Sequence, residues 1–110
     1  MSRFFGKESE DRAIEFLQNR GFKIVDRNFY ASRFGEIDII ALKSNVLHFI
    51  EVKSSKGSFE PIYNITSVKL NKIIKSAQFY LKQKKLKYAW SIDALIIKND
   101  KIELIENITL

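Results

Sequence analysis

The chain has 110 residues, 45% of them hydrophobic, and a formal net charge of +6 at pH 7, which predicts one globular domain (residues 1–110) around a single core. The lack of cysteine excludes a disulfide scaffold and a thiolate metal site, and no apolar run approaches a signal peptide or the ~20 residues of a membrane span, so we expect a cytoplasmic protein. The excess of positive charge favours a polyanionic partner such as nucleic acid.

Hydrophobic periodicity predicts an α/β domain in the order helix, three strands, helix and two strands, with a central mixed sheet flanked by helices. A helical stripe runs from about Lys7 to Arg20, and Gly21 can take the left-handed backbone that ends helices. A second stripe starts at a cap residue, Asn64 or Thr66, and ends near Gln83 with lysines along its side. Strand patterns cover 22–30, the two arms of 35–53, 90–98 and 101–105, while 57–64 is expected to be a loop long enough to lie over a site.

Segment 35–53, GEIDIIALKSNVLHFIEVK, indicates two apolar strands folded back on each other. If they turn symmetrically about Ser44 and Asn45, the numbers of paired residues sum to 89, which places Asp38 opposite Glu51. Two carboxylates whose Cβ atoms lie about 5 Å apart repel by ~3 kcal/mol at an effective dielectric near 20. A divalent cation with oxygen ligands would offset that repulsion.

Lys53 follows Glu51 by two residues and therefore shares its face of the strand. Phosphodiester hydrolysis needs a metal such as Mg²⁺ or Mn²⁺, an activated water and positive charge near the phosphate. In this interpretation Asp38, Glu51 and the carbonyl of Val52 bind the metal, and Lys53 orients or deprotonates the water or stabilises the phosphate. The solvated face of a hairpin would show a similar spacing, but the apolar residues on both faces indicate central strands, where unpaired carboxylates are costly.

Glu10 lies within the apolar stripe of the first helix, together with Ala13, Ile14 and Leu17. One interpretation is that a first-turn glutamate complements the helix dipole. The other makes Glu10 a third carboxylate of the site, which binds the metal through a water or assists a second ion. The helical wheel favours Glu10 over Glu8 for that role.

Five segments carry a resemblance to a known family: GKESEDRAIEFL at 6–17, GEIDIIA at 35–41, FIEVK at 49–53, TSVKLNKIIKSAQFYL at 66–81 and SIDALII at 91–97. On these motifs the chain resembles, over nearly its whole length, the YraN-like proteins, a bacterial family of uncharacterised function grouped with the PD-(D/E)xK nuclease superfamily. The resemblance implies a restriction-endonuclease-like fold. It also implies Asp38, Glu51 and Lys53 as the site, with Glu10 and Glu36 as further members, and it aligns Lys69 and Asp93 with motif positions.

The sequence departs from the family pattern at Ser9, where the motif has Gly, and at Ser54-Ser55, where a Thr-Arg pair is usual. The second departure removes a cation beside the expected phosphate, and Lys56 or Lys69 is the candidate to replace it. Lys72 lies on the same predicted helix as Lys69. Lys56, Lys69 and Lys72 are the residues predicted to contact nucleic acid.

The leading functional hypothesis is therefore an Mg²⁺- or Mn²⁺-dependent nuclease that hydrolyses DNA, in repair or recombination. A nucleic-acid-binding module with the same fold and little hydrolytic activity is the alternative, and a scaffold for another protein is a third hypothesis. His48, the only histidine, is expected on the strand face opposite Glu51, where a structural role is favoured over metal ligation.

Overall fold

A computed structural model of the chain describes residues 3–55 and 65–109, and it confirms the predicted α/β class and element order. The expected loop at 57–64, the candidate cap Asn64 and the candidate DNA contact Lys56 lie outside the described residues. No helix in the described part of the chain is long and apolar enough to cross a membrane. The elements are α1 (Arg3–Asn19), β1 (Lys23–Tyr30), β2 (Glu36–Lys43), β3 (Val46–Ser55), α2 (Ser67–Lys84), β4 (Ala89–Lys98) and β5 (Lys101–Ile105), with a 3₁₀ turn at Ser32–Phe34.

The five strands form one mixed sheet in the order β1-β2-β3-β4-β5. Strands β1, β2 and β3 pair antiparallel, β3 and β4 pair parallel, and β5 returns antiparallel to β4. Since parallel neighbours need a crossover connection, helix α2 is the element that carries the chain from the end of β3 to the start of β4. This arrangement is consistent with the restriction-endonuclease-like fold that the resemblance implies.

Each face of the sheet is covered by one helix, which gives the domain two apolar cores. The first core joins α1 to the sheet through Ala13, Leu17, Phe22, Ile39, Ala41, Ile50, Leu95 and Ile97. The second core joins α2 to the other face through Ile37, Ile40, Leu47, Phe49, Ile73, Ala77, Tyr80 and Ile92. Successive side chains of a strand point to opposite faces of the sheet, so those of β3 alternate between the α1 face and the α2 face, and both sets are buried.

The register of the β2–β3 hairpin is the predicted one. Its bridge pairs run from Ile39↔Ile50 to Lys43↔Val46, and each pair sums to 89. Ser44 and Asn45 both have positive φ, 51° and 63°, as the type I′ turn of a two-residue hairpin demands. The turn thus fixes which face of β3 each site residue occupies.

The N-terminus of α2 is capped by Thr66, whose Oγ1 accepts a hydrogen bond from the backbone N–H of Lys69 at 3.2 Å. We expect Thr66→Ala to lower the free energy of unfolding by about 1 kcal/mol, because one helical N–H loses its partner. Urea denaturation measures this change. Thr66→Ser keeps the hydroxyl and should retain most of the stability; equal losses in both variants would contradict the capping role.

Candidate active site

Asp38 lies near the open end of the β2–β3 hairpin, one residue beyond the last bridge pair. One of its carboxylate oxygens, Oδ2, accepts a hydrogen bond from the backbone N–H of Val52 at 2.8 Å. Burial is the main reason that the pKa of Asp38 rises from 3.8 to about 7, and the negative charge of Glu51 raises it further. The Val52 bond opposes the shift, and Glu10 adds a smaller upward contribution. The Asp38 carboxyl is therefore costly to ionise without a nearby cation.

Glu51, one residue beyond the Ile50 pair on β3, is buried with only 9% of its surface exposed. Its Oε1 lies 3.8 Å from the ammonium of Lys53 and 3.5 Å from that of Lys69. Lys53 shares the strand face of Glu51, whereas Lys69 reaches the same oxygen from the first turn of α2. We call Asp38, Glu51, Lys53 and Lys69 the carboxylate–lysine site; it contains two acids and two amines.

The two lysines of this site differ in their affinity for a proton. Burial lowers the pKa of Lys53, and the adjacent ammonium of Lys69 lowers it further. Burial also acts to lower the pKa of Lys69, but its hydrogen bond with Lys53 and the charge of Glu51 outweigh that effect and raise it. Lys69 is thus the fixed cation of the pair, and Lys53 is the amine that more readily becomes neutral.

Val52 contributes to the site through its N–H, because that group donates to Asp38. The predicted use of its carbonyl as a metal ligand stays a prediction. Glu36, a further member implied by the resemblance, is exposed and pairs with Tyr30 of β1.

Glu10 points inward as the helical wheel predicts, with 13% of its side chain exposed, but it is held by the edge strand β1. Its Oε1 accepts hydrogen bonds from Arg27 Nε at 3.2 Å and from Asn28 Nδ2 at 2.8 Å. Its charge still reaches Asp38, whose pKa it helps to raise. The sequence patterns did not single out Arg27 or Asn28. Two adjacent polar residues inside an otherwise alternating strand could have indicated that the strand is irregular there. Asn28 has a positive φ of 53°, which disturbs the alternation.

The predicted nucleic-acid contacts Lys69 and Lys72 take different positions on α2. Lys72 is exposed, as expected for a residue that contacts a phosphate backbone. Lys69 is half-buried and turned toward Glu51, so the helix supplies the site with a second cation.

The donor set at the hairpin end fits a divalent metal such as Mg²⁺. Carboxylate oxygens are the preferred ligands of these hard cations, and here two of them approach each other closely enough to raise the pKa of Asp38. A bound cation would remove the repulsion between them. Glu10 would take part through a water, because Glu10, Asp38 and Glu51 do not form a group of three with ligand atoms within 4.8 Å of one another.

A different set of metal-ligating side chains lies on the α1 face of the sheet. His48 Nδ1 is 2.5 Å from Asp93 Oδ2 and 3.9 Å from Glu106 Oε1. In the described part of the chain these three residues, the histidine cluster, form the one group whose ligand atoms all lie within 4.8 Å of each other, and the group could hold a metal ion. His48 is on the face opposite Glu51, as predicted, but nothing local in the sequence links it to residues 45 and 58 positions away.

Comparisons with known proteins give a family but no activity. The model of a family described as "Uncharacterised protein family UPF0102" matches residues 9–97. A UPF0102 protein of Wolinella succinogenes is 61% identical over 110 residues and the alignment covers 100% of both chains. A UPF0102 protein of Sulfurovum sp. is 54% identical over 110 residues, with coverage of 100% of this chain and 97% of the relative. One of Helicobacter hepaticus is 61% identical over 109 residues, with coverage of 99% and 97%.

Proposed function

Because this chain belongs to the uncharacterised protein family UPF0102, whose description states no activity, we propose a function from its own site: a metal-dependent nuclease that hydrolyses phosphodiester bonds in DNA. The observation that carries the proposal is the half-buried carboxyl of Asp38 beside Glu51, with two lysine ammonium groups within 3.8 Å of the Glu51 carboxylate. We place its biological use in repair or recombination.

Asp38 and Glu51 would hold the metal, Mg²⁺ or Mn²⁺, with the Val52 carbonyl as an additional ligand and Glu10 in contact through a water. When bound, such an ion polarises the phosphoryl oxygens and lowers the pKa of water. The raised pKa of Asp38 couples binding to pH, since the carboxyl must lose its proton to ligate.

Lys53 and Lys69 divide the remaining tasks. Lys53, whose pKa is lowered, accepts a proton at Nζ from the water that attacks phosphorus. The new P–O bond forms as the bond to the leaving oxygen breaks, and that oxygen takes its proton from solvent. Lys69, which stays charged, stabilises the additional negative charge on the phosphoryl oxygens.

The basic surface of α2 is the route by which DNA would reach this site. Lys72 lies one turn beyond Lys69 and is exposed, and the exposed Lys75 and Lys82 continue along the helix. Phosphates bound by these side chains would lead the backbone toward Lys69. The net charge of +6 acts in the same direction, because it attracts a polyanion from a distance.

One observation favours the alternative function, a DNA-binding module that does not cleave. Lys53 and Lys69 already compensate the charge of Glu51, so the site has four groups with balanced formal charge before any metal enters. A binding module would use Lys69 and the α2 lysines for phosphate contacts and leave the carboxylates as an internal ion-pair network.

Cleavage assays distinguish the two functions. Linear, nicked and four-way-junction DNA, with a matched RNA duplex, are incubated with the purified protein and Mg²⁺ or Mn²⁺. We expect metal-dependent cleavage of DNA by the native chain, and a loss of about 10³-fold or more in Asp38→Ala and Glu51→Ala, because each removes a metal ligand.

Glu15→Gln is the matched control, since Glu15 is exposed on α1 and also loses one negative charge. It should cleave like the native chain. Salt-sensitive DNA binding without cleavage, equal in the native chain and in Asp38→Ala, would establish the binding module. If the protein cleaved only RNA, the proposed site would be supported and the substrate would be RNA in place of DNA.

A further inference from the structure

The histidine cluster lies on the sheet face opposite the carboxylate–lysine site and takes no part in the proposed hydrolysis. We propose that His48, Asp93 and Glu106 form a Zn²⁺ site that joins β3, β4 and the segment after β5. The ligand types suit this ion, because zinc in proteins binds imidazole nitrogen and carboxylate oxygen, commonly with three side chains and one open position.

Burial and charge are the first support for the site. Asp93 is completely buried, and His48 is 6% exposed. The partners of Asp93 among the described residues are the His48 ring, the hydroxyl of Ser91 and the backbone N–H of Asn107. None of these is a lysine or arginine side chain, so no fixed cation among them competes with a metal ion for the carboxylate.

The hydrogen bonds of Asp93 orient it as a metal ligand. Ser91 Oγ at 2.5 Å and Asn107 N at 3.0 Å both donate to Oδ1, which leaves Oδ2 directed at His48 Nδ1. Such outer partners fix the orientation of ligating carboxylates in known metal sites. Phe22 packs edge-on against the imidazole, at 5.0 Å between ring centroids, and limits the movement of the ring.

The distances allow an ion after a small movement. Two ligands about 2.1 Å from a tetrahedral zinc lie about 3.4 Å apart. Glu106 Oε1 is 3.9 Å from His48 Nδ1, close to that separation. Asp93 Oδ2 is 2.5 Å from the same nitrogen, so the pair must open by about 1 Å and lose the proton it shares.

A cavity of about 270 Å³ lies beside Glu106, the exposed member of the cluster. Phe22, whose ring contacts the His48 imidazole, also lines this cavity. Arg20 and Lys43 line the same cavity and place positive charge there. Water or a small anion in the cavity would therefore complete the coordination.

The single histidine makes the proposal directly testable by NMR. The untagged 110-residue chain is titrated with Zn²⁺ while the ¹⁵N and ¹H signals of its one imidazole are recorded. We expect a shift of the His48 Nδ1 resonance that saturates at one equivalent, and no such shift with Mg²⁺, which binds oxygen ligands. The Asp38→Ala variant should respond in the same way, which separates this site from the carboxylate–lysine site.

Glu106→Gln tests the ligand set without disturbing the core, because the Glu106 side chain is 61% exposed. We expect calorimetry to show a Zn²⁺ affinity at least tenfold weaker in this variant. Glu103→Gln is the matched control, since Glu103 is exposed, lines the same cavity and is outside the cluster. An imidazole signal unchanged by stoichiometric Zn²⁺, or equal affinity in native, Glu106→Gln and Glu103→Gln proteins, would overturn the proposal and leave a His–Asp hydrogen bond.

Discussion

Lys53→Met is expected to lower kcat for DNA cleavage by about 10³-fold while KM changes little. A general base contributes roughly 10²–10⁴-fold, and Lys53 is the amine whose pKa is lowered by burial and by Lys69. Methionine preserves most of the volume of the half-buried side chain, so packing around it should survive. Single-turnover kinetics over a range of pH measure the effect. At saturating Mg²⁺, where metal binding no longer limits the rate, the rate of the native chain should rise as pH passes the lowered pKa of Lys53, and this rise should vanish in the variant.

Lys69→Met is the matched comparison, because both lysines contact the same Glu51 oxygen. Loss of a fixed cation should weaken substrate binding and transition-state stabilisation, by about 10–100-fold in kcat/KM. The rise of the rate with pH should remain but move to higher pH, because Lys69 no longer lowers the pKa of Lys53. If the two variants lose the same activity with the same pH profile, the lysines act only as a shared positive charge and Lys53 is not the base.

Asp38→Asn is expected to stabilise the metal-free protein at alkaline pH, on the order of 2–4 kcal/mol, and to change stability little near pH 4. The pKa of Asp38 is about 7 in the folded chain against 3.8 ordinarily, a difference that corresponds to about 4 kcal/mol at most. Between these two values the unfolded chain binds fewer protons than the folded chain. Stability therefore falls as pH rises from about 4 to about 7, and the penalty is fully present above that range.

Urea denaturation at pH 4.5 and pH 8.5, with and without Mg²⁺, measures this effect. Asparagine can still accept the Val52 N–H through its amide oxygen, so the backbone contact is preserved. Mg²⁺ should stabilise the native chain at pH 8.5 and have little effect on the variant. Asp100→Asn, in the exposed β4–β5 turn, is the control. If Asp38→Asn and the native chain differed in stability by the same amount at both pH values, the raised pKa of Asp38 would be contradicted.

Local rules predicted the parts of this protein that depend on neighbouring residues. The two-residue turn and the period of a strand gave the hairpin register, and capping chemistry included Thr66 among two candidates. The helical wheel identified Glu10 as inward-facing because one helix determines its own faces. The resemblance implied Asp38, Glu51 and Lys53 as the candidate site, and the register of the β2–β3 hairpin explains why Asp38 and Glu51 lie close together.

What the sequence did not predict are contacts between elements distant along the chain. Lys69 was predicted as a contact for nucleic acid and as a candidate cation beside the phosphate, and both stay predictions; its contact with Glu51, which the packing of α2 on the sheet creates, was not predicted. Arg27 and Asn28 hold Glu10 because a bulge after Ile24 and the positive φ of Asn28 change the course of β1. His48 meets Asp93 only because β3 and β4 pair in parallel after a crossover, and no spacing within one segment encodes that pairing.

The two-residue turn at Ser44–Asn45 makes the hairpin intolerant of changes in length. Side chains of β3 alternate between two faces. If one residue were inserted after Asn45 while the two-residue turn and the position of β2 were kept, the pairing would shift by one residue, so Glu51 would move to the α1 face and His48 to the α2 face. Both candidate metal sites would then lose a ligand at once. A change of length by one residue, which surface connections usually tolerate, is therefore not tolerated in this turn.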